Sequence, residues 1–483
     1  MLELKNRREV LWDRFLEEES SGLTVVMHRP EYRGTAYSAD APWEGNTTGY
    51  FALANGEKDL RLYYRACNMD VAEDLSEISH KPAFCLCLSE DGKTFRRAEI
   101  NRVPFGEITE NNIVFDQTND NFTIFRDTNP ACPEDERWKA LSGTDDRRLM
   151  YYKSRDGIEF EFVRELVGDG NYDSMNVAFW DETAGLYRLY YRGLHDEVGA
   201  DFKWGRPQVG GPIRDIRVKT SPDFVTWSES VRLDYGEGAP DLQMYTNQVR
   251  PYYRAPHMLL GIPTRYTDRA EDEINFRDLP DREHRARVTA KWDRCGTAMT
   301  DCCLMTSRDG VRFNRCDEAF LTPGPERTLN WYYGDCYTAL GMAETASARE
   351  GAPNEISIYM GENYRASNVC LARYALRLDG FFSWHGDFSG AEVTTKPFTF
   401  EGDALEINFA TSSLGHVRIR LLSEDGQELA GYDSGRLFGD SVNRPARFEK
   451  DLRLLRGKPV RMKIELKDAD LYSFRFTDGS ENK

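Results

Sequence analysis

SEDGKTF at Ser89–Phe95 returns as SRDGIEF at Ser154–Phe160, SPDFVTW at Ser221–Trp227 and SRDGVRF at Ser307–Phe313. Each copy is Ser-x-Asp, usually followed by Gly, with an aromatic in the seventh place. The chemistry is that of a turn: Ser and Asp bond nearby backbone, Gly takes the positive-φ position, and the aromatic resumes a strand. One such turn marks an ordinary hairpin. Four of them, spaced by 65, 67 and 86 residues, are too far apart for a helical solenoid and match propeller blades with long loops.

A second repeat interleaves with the turns. TTGYFALANGEKDLRLYYRA from Thr47, NFTIFRDTNPACPEDERWKALSG from Asn121 and DSMNVAFWDETAGLYRLYYRG from Asp173 each read as strand, polar turn, strand. YTNQVRPYYRAPHMLLGIPTRY from Tyr245 and WYYGDCYTALGM from Trp331, paired with EISIYMGENY from Glu355, complete the set. LRLYYRA and YRLYYRG are nearly the same text. Five hairpins with outer Ser-x-Asp turns predict five blades of about four strands.

The rhythm changes near residue 391. DALEINFAT, HVRIRLLSEDGQEL, PVRMKIEL and LYSFRF alternate apolar and polar residues between DG, GD and Gly-Lys-Pro turns, the pattern of a small antiparallel sandwich. The expected fold is therefore all-β: a five-bladed propeller over residues 1–390, with a short N-terminal extension over 1–25, followed by a β-sandwich over 391–483. A charged stretch, Tyr266 to Gly296, falls between blades four and five and is placed to wall the mouth of the propeller or to meet a neighbouring subunit.

Composition narrows the function. Lys and Arg number 63 against 81 Asp and Glu, a net charge of −18, which argues against the nucleic-acid backbone as a partner. No apolar run approaches a membrane span, and the start MLELKNRREVLWDRF has no signal-type stretch. A cytoplasmic location is expected, or a periplasmic or secreted one if a leader is removed; a homo-oligomer is compatible with the sequence. The ten cysteines form no pair of CxxC motifs and the seven histidines no HExxH, so no metal site is read here. A structural Ca²⁺ held by oxygen ligands in the funnel is compatible with the fold, and no cofactor is required.

FRDTNP followed by ERWKAL, YDSMNVAFWDE, YTNQVRPYYRAPH, DCCLMTSRDGVRF and KDADLYSFRF resemble bacterial five-bladed propeller proteins assigned as glycosyl hydrolases. These are similar in plan to glycoside hydrolase families 43 and 32, the latter with a C-terminal sandwich. The resemblance runs from about Arg29 to Phe476. It implies cleavage of a glycosidic bond in an oligo- or polysaccharide. The chain lacks family 32's Asn-Asp-Pro-Asn-Gly phrase and an obvious Glu-Cys phrase, so candidate residues come from expected funnel positions instead.

Hydrolysis needs a carboxylic acid for the leaving oxygen and a second carboxylate as base or nucleophile. Asp173 opens the third inner strand, and Glu44 precedes the first beside Trp43, a sugar platform. Asp127 falls where Asp181 falls in the next blade, which favours a turn role with Asn129 and Pro130, yet it belongs to a family-like phrase. Asp120 is its rival at the start of the same strand. Glu355 begins the second strand of blade five, near Trp331 and Asp335, where apolar surroundings suit a general acid. Asn176, Asn247, Arg192, Arg250 and Arg265 are expected to bond hydroxyls, and Trp180 and Trp331 to offer ring faces. Two alternatives stay open: a non-catalytic carbohydrate-binding propeller, and a glycoside phosphorylase using the arginines for phosphate.

Overall fold

The computed structural model describes residues 1–118, 121–144, 146–196, 212–269, 274–328, 330–367 and 369–478. Strands dominate them, and Arg282–Trp292 is the single α-helix among the described residues. Five separate antiparallel sheets follow one another along the chain and a sixth, larger sheet gathers both ends of it. The five-bladed propeller that the repeats predict is present.

The inner strands are Gly49–Asn55, Phe122–Arg126, Val177–Asp181, the broken pair Gln243–Met244 and Arg250–Tyr252, and the broken pair Tyr337–Thr338 and Ala343–Thr345. Neighbouring inner strands meet around the axis. Leu340 N–H donates to the Phe51 carbonyl and Leu53 N–H to the Leu340 carbonyl, both at 2.8 Å. The ring closes where Glu31–Ser38, from the start of the chain, adds the outermost strand to blade five by pairing with Cys370–Arg377.

Each Ser-x-Asp turn ends the third strand of its blade. Ser89, Ser154 and Ser307 Oγ accept the N–H of Gly92, Gly157 and Gly310, each at 2.9 Å. The Asp oxygens take the two N–H groups beyond: Asp156 binds Ile158 at 2.8 Å and Glu159 at 2.9 Å, and Asp309 binds Val311 and Arg312 at 2.8 Å. The turn glycines then lock the blades together. Tyr63 Oη donates to the Gly157 carbonyl at 2.9 Å, Tyr190 Oη to that of Gly310 at 2.8 Å, and Tyr359 Oη to that of Gly92. The two repeats seen in the sequence are thus the two halves of one contact, a tyrosine of one blade against the turn of the next. Glycine suits position 310, where φ is +82° and a Cβ would lie 2.1 Å from Arg188 Nη1 and force that side chain to shift.

The terminal sheet is organised by two long strands, Ala404–Ser423 and Val460–Thr477, which pair along their length with a break in register between Thr411 and His416. The bend lets the sheet fold over a core of Trp384, Val393, Phe398, Phe400, Ile407, Ile464 and Phe474, all essentially without solvent contact, which is the sandwich. Residues 1–25, read from sequence as an extension of the propeller, lie elsewhere in the topology. Leu2–Lys5, Arg8–Val10, Glu17–Ser21 and Thr24–Met27 all pair within this terminal sheet, as does Phe382–Gly386. The physical reason is that the sandwich strands leave open edges, and the N-terminal segment covers them.

The two bodies are joined by buried ions. The Asp379 carboxylate accepts from Tyr252 Oη at 2.6 Å and Arg254 Nε at 2.7 Å on the propeller side. On the sandwich side it accepts from Ser473 Oγ at 2.6 Å and Arg8 Nη1 at 3.2 Å. All ten cysteines are free thiols, seven of them buried.

Candidate functional site

All five inner strands begin at the same end of the ring, and that end forms the mouth. Second strands finish there, so the last residues of LRLYYRA and YRLYYRG, with Arg65 and Arg192 in equivalent places, both reach it. Around the axis at this level sits a cluster of tyrosines: Tyr50, Tyr245, Tyr266, Tyr333, Tyr337 and Tyr364. Ring centroids of Tyr245 lie 5.4 Å from Tyr333 and 5.5 Å from Tyr337, and Tyr337 lies 5.5 Å from Tyr50 and 5.6 Å from Tyr364. Tyr364 packs where Gly334 leaves room, since a Cβ at Gly334 would meet the ring at 2.0 Å.

Arginines lie over these rings. Arg192 sits 4.0 Å above Tyr245, Arg214 4.3 Å above Tyr266, Arg65 4.6 Å above Tyr50, and Arg294 5.0 Å above Tyr266; Arg365 lies 5.6 Å from Tyr333. Each such contact contributes about 0.5–2 kcal/mol, the larger figure where water is excluded. Burial pushes the Tyr245 phenol up, but the Arg192 and Arg214 guanidiniums beside it hold it below its ordinary value, and it shares a short hydrogen bond with Tyr333.

Asp173 belongs to this mouth. It precedes its inner strand, its side chain is 68% exposed, and Arg192 Nη1 donates to it at 2.7 Å. Arg192 is itself fixed, giving two further bonds to the Tyr245 carbonyl at 2.8 and 3.2 Å. Asp335 is also at the mouth but enclosed. Among the described residues it accepts the N–H groups of Tyr332 and Tyr364, at 3.2 and 3.3 Å, and burial pushes its carboxyl up to about 7.

The other sequence candidates are not brought together with these two. Glu44 does not face Asp173 across the funnel: it is sealed between blades five and one. Its oxygens accept from Tyr37 and Tyr64 hydroxyls, from Ala41 N–H at 2.8 Å and from Arg97 Nη1 at 3.2 Å. Trp43 is core, donating to Asn112 at 2.9 Å. Asp127 lies at the opposite end of the ring and holds a turn, accepting from Asn129 N–H at 2.9 Å and Tyr187 Oη at 2.8 Å, with Lys139 Nζ at 2.9 Å. Asp181 does the same with Arg188 at 2.7 Å. Glu355 is also at the far end, bonded to Ser347 at 2.9 Å. Asp120 lies outside the described residues.

The polar candidates divide similarly. Asn176 and Asn247 give their amide hydrogens to carbonyls, of Tyr172 and Ser174 in the first case and of Met175 and Tyr190 in the second, and so stitch strands. Arg265 forks onto Asp301 at 2.8 and 2.5 Å. Trp180 packs on Tyr187 at the far end. Arg250 sits within its inner strand, lowered to about 10 by burial.

Trp331 does line a site. A cavity of about 440 Å³ opens at the mouth between blades four and five, bounded by Trp331, Phe276, Leu279 and Met299 and by the polar Arg269, Asn275, Asp278 and Glu326. Trp331 is held at φ +60° and anchored through its indole N–H to the Gly324 carbonyl at 2.9 Å. A bulky residue at positive φ is strained, and such strain concentrates where a side chain has been aimed for use. The helix Arg282–Trp292 backs this wall: Arg285 donates to the carbonyls of Asn330 at 2.6 Å and Trp331 at 2.8 Å. Described residues of the charged stretch from Tyr266, namely Arg269, Asn275, Phe276, Asp278 and Leu279, thus line this cavity.

The sequence reading missed Arg65, Arg214, Arg294, Arg365 and the tyrosine cluster. Arg65 had a signal, its equivalence to Arg192 in the repeated YYR text. Arg214, Arg294 and Arg365 arrive from a third strand, a turn after the helix and a loop, none of them in a repeat.

No protein-family model matches the chain, and no curated protein matches it by sequence. Among solved structures it is similar to an N-acetylgalactosamine deacetylase from F. plautii in complex with blood group B trisaccharide, at 12% identity and a TM-score of 0.44, covering 74% of this chain and 96% of that one. It is similar to a family GH32 β-fructofuranosidase of Bombyx mori, at 9% identity and a TM-score of 0.40, covering 93% and 95%. A third is the Penicillium chrysogenum α-L-arabinanase complexed with arabinobiose, at 11% identity and a TM-score of 0.37, covering 72% and 98%.

Proposed function

We propose that this chain acts on glycosidic bonds at the propeller mouth, with the sugar seated in the cavity beside Trp331. The observation that carries the reading is that cavity: about 440 Å³, an aromatic wall and two exposed carboxyl side chains, Asp278 and Glu326. Its size suits one or two sugar rings, whose C–H faces pack on Trp331 while hydroxyls meet the polar groups. Asp173, exposed and held by the fixed Arg192, serves as base or nucleophile. The general acid is assigned to the cavity carboxyls, because an acid must reach the leaving oxygen within hydrogen-bond distance. Asp335, its carboxyl raised to about 7 by burial, keeps the loop before the fifth inner strand in place.

The test is release of reducing sugar from a panel of aryl glycosides and oligosaccharides. Asp173→Asn is expected to lower turnover per folded molecule a hundredfold or more, and to lower the melting temperature as well, since it removes the charge paired to buried Arg192. Trp331→Ala is expected to raise KM more than it lowers kcat. A panel that binds in the cavity and is never cleaved would leave a carbohydrate-binding propeller; turnover indifferent to both substitutions would move the site elsewhere.

A further inference from the structure

We infer that the arginine–tyrosine cluster at the mouth binds an oxyanion, either the carboxylate or sulfate of an acidic sugar or inorganic phosphate. Arg192, Arg214 and Arg365 are 6%, 1% and 6% exposed, and Arg294 joins them half-buried. Arg214 Nε, Arg294 Nη1, and Arg365 Nε and Nη1 are buried with no hydrogen-bond acceptor. Burial lowers Arg214, and the charges of Arg192 and Arg294 lower it further, so these guanidiniums are close enough to repel one another.

Elsewhere in the propeller several cations have a carboxylate, while buried Arg285 and Arg373 give their hydrogens to carbonyl and hydroxyl oxygens and Arg250 Nη1 is buried without an acceptor. Arg188 has Asp181, Arg265 has Asp301, Arg217 has Asp215 and Lys139 has Asp127. Around Arg192, Arg214, Arg294 and Arg365, among the described residues, Asp173 is the one paired carboxylate, and it sits on the solvent side. Asp268, nearby, is engaged by Tyr266 and Gln243. In a chain of net charge −18 this local excess of positive charge is conspicuous. Uncompensated buried charge opposes folding, and vacant guanidinium donors match the paired oxygens of a carboxylate, sulfate or phosphate. The cluster borders solvent at Asp173, whose side chain is 68% exposed. Where the anion is part of a sugar, the inference rests on the glycoside reading; the binding itself does not.

The experiment is thermal melting and titration calorimetry of the full chain with phosphate, sulfate, glucuronate, galacturonate and glucose, each against sodium chloride at equal ionic strength. At least one oxyanion is expected to raise the melting temperature saturably, by about 3 °C or more, with glucose and chloride inactive. Arg214→Met and Arg365→Met are expected to weaken that binding at least tenfold. Arg294→Met, at a half-exposed position, gives the same reading if the buried variants do not fold. A response to uronates alone identifies an acidic sugar, and one to phosphate identifies phosphate as ligand; either supports the site. No oxyanion effect beyond chloride, or variants that bind like the parent, overturns it. Turnover of neutral glycosides without anion binding would sink this inference alone, and anion binding without any turnover would sink only the glycoside reading.

Discussion

Glu44→Gln tests whether a carboxylate that sits next to an inner strand in sequence works in the funnel or in the scaffold. Its side chain is fully buried and its two oxygens take four donors. A glutamine offers one oxygen and one NH₂. With the oxygen toward Ala41 and Arg97, the NH₂ meets the Tyr37 and Tyr64 hydroxyls, which must rotate to accept, and Tyr37 already accepts from Arg97 at 3.2 Å. The charge-assisted character of the bonds is lost, at roughly 1 kcal/mol each. Arg97 keeps Asp40 at 2.8 Å, so its charge is not stranded and the larger penalty for a broken buried pair does not apply. The expected net loss is about 2–4 kcal/mol, read as a melting temperature lower by roughly 4 °C or more, with turnover per folded molecule unchanged. Differential scanning calorimetry beside the glycoside assay measures both. An unchanged melting temperature with a hundredfold fall in turnover would refute the structural role and return Glu44 to the chemistry.

Gly310→Ala and Gly185→Ala share a positive φ, +82° and +66°, but only the first meets neighbours, Arg188 and Tyr190. Both are expected to cost about 1–2 kcal/mol of backbone strain, and Gly310→Ala a further 1–3 kcal/mol of overpacking, so their melting temperatures should separate. Backbone N–H groups hold the Asp91 and Asp223 carboxyls below their ordinary value, and at Asp156 and Asp309 the same bonds outweigh the effect of burial. Because the folded values lie below the unfolded ones, this stabilisation is fully present above about pH 4 and is lost as pH falls through the folded values. Acid unfolding followed by tyrosine and tryptophan fluorescence should therefore be shallower for Asp156→Asn combined with Asp309→Asn. Deleting residues 1–27 removes four strands from the terminal sheet and is expected to leave an insoluble chain, checked by expression and gel filtration.

The repeats determined the fold because their physics is local: a Ser-x-Asp-Gly turn folds the same way wherever it occurs, and the five hairpins that interleave with its four copies count the blades. The role of Asp127 as a turn residue was legible for the same reason, from its register with Asp181. What the sequence could not decide was which ends of distant strands converge. Glu44 and Asp173 both precede inner strands, yet one is walled in by Tyr37 from the closing strand and the other stands open beside Arg192. The joining of Glu17–Ser21 to Ala391–Thr395 left no local trace, since an edge strand reads alike whichever sheet it completes. The charge cluster at the mouth is the clearest case. Arg65 and Arg192 share a repeated phrase, whereas Arg214, Arg294 and Arg365 become neighbours only when the ring closes and brings their tyrosines within about 6 Å of one another. A side chain's partners at that range depend on tertiary packing, which no spacing along the chain encodes.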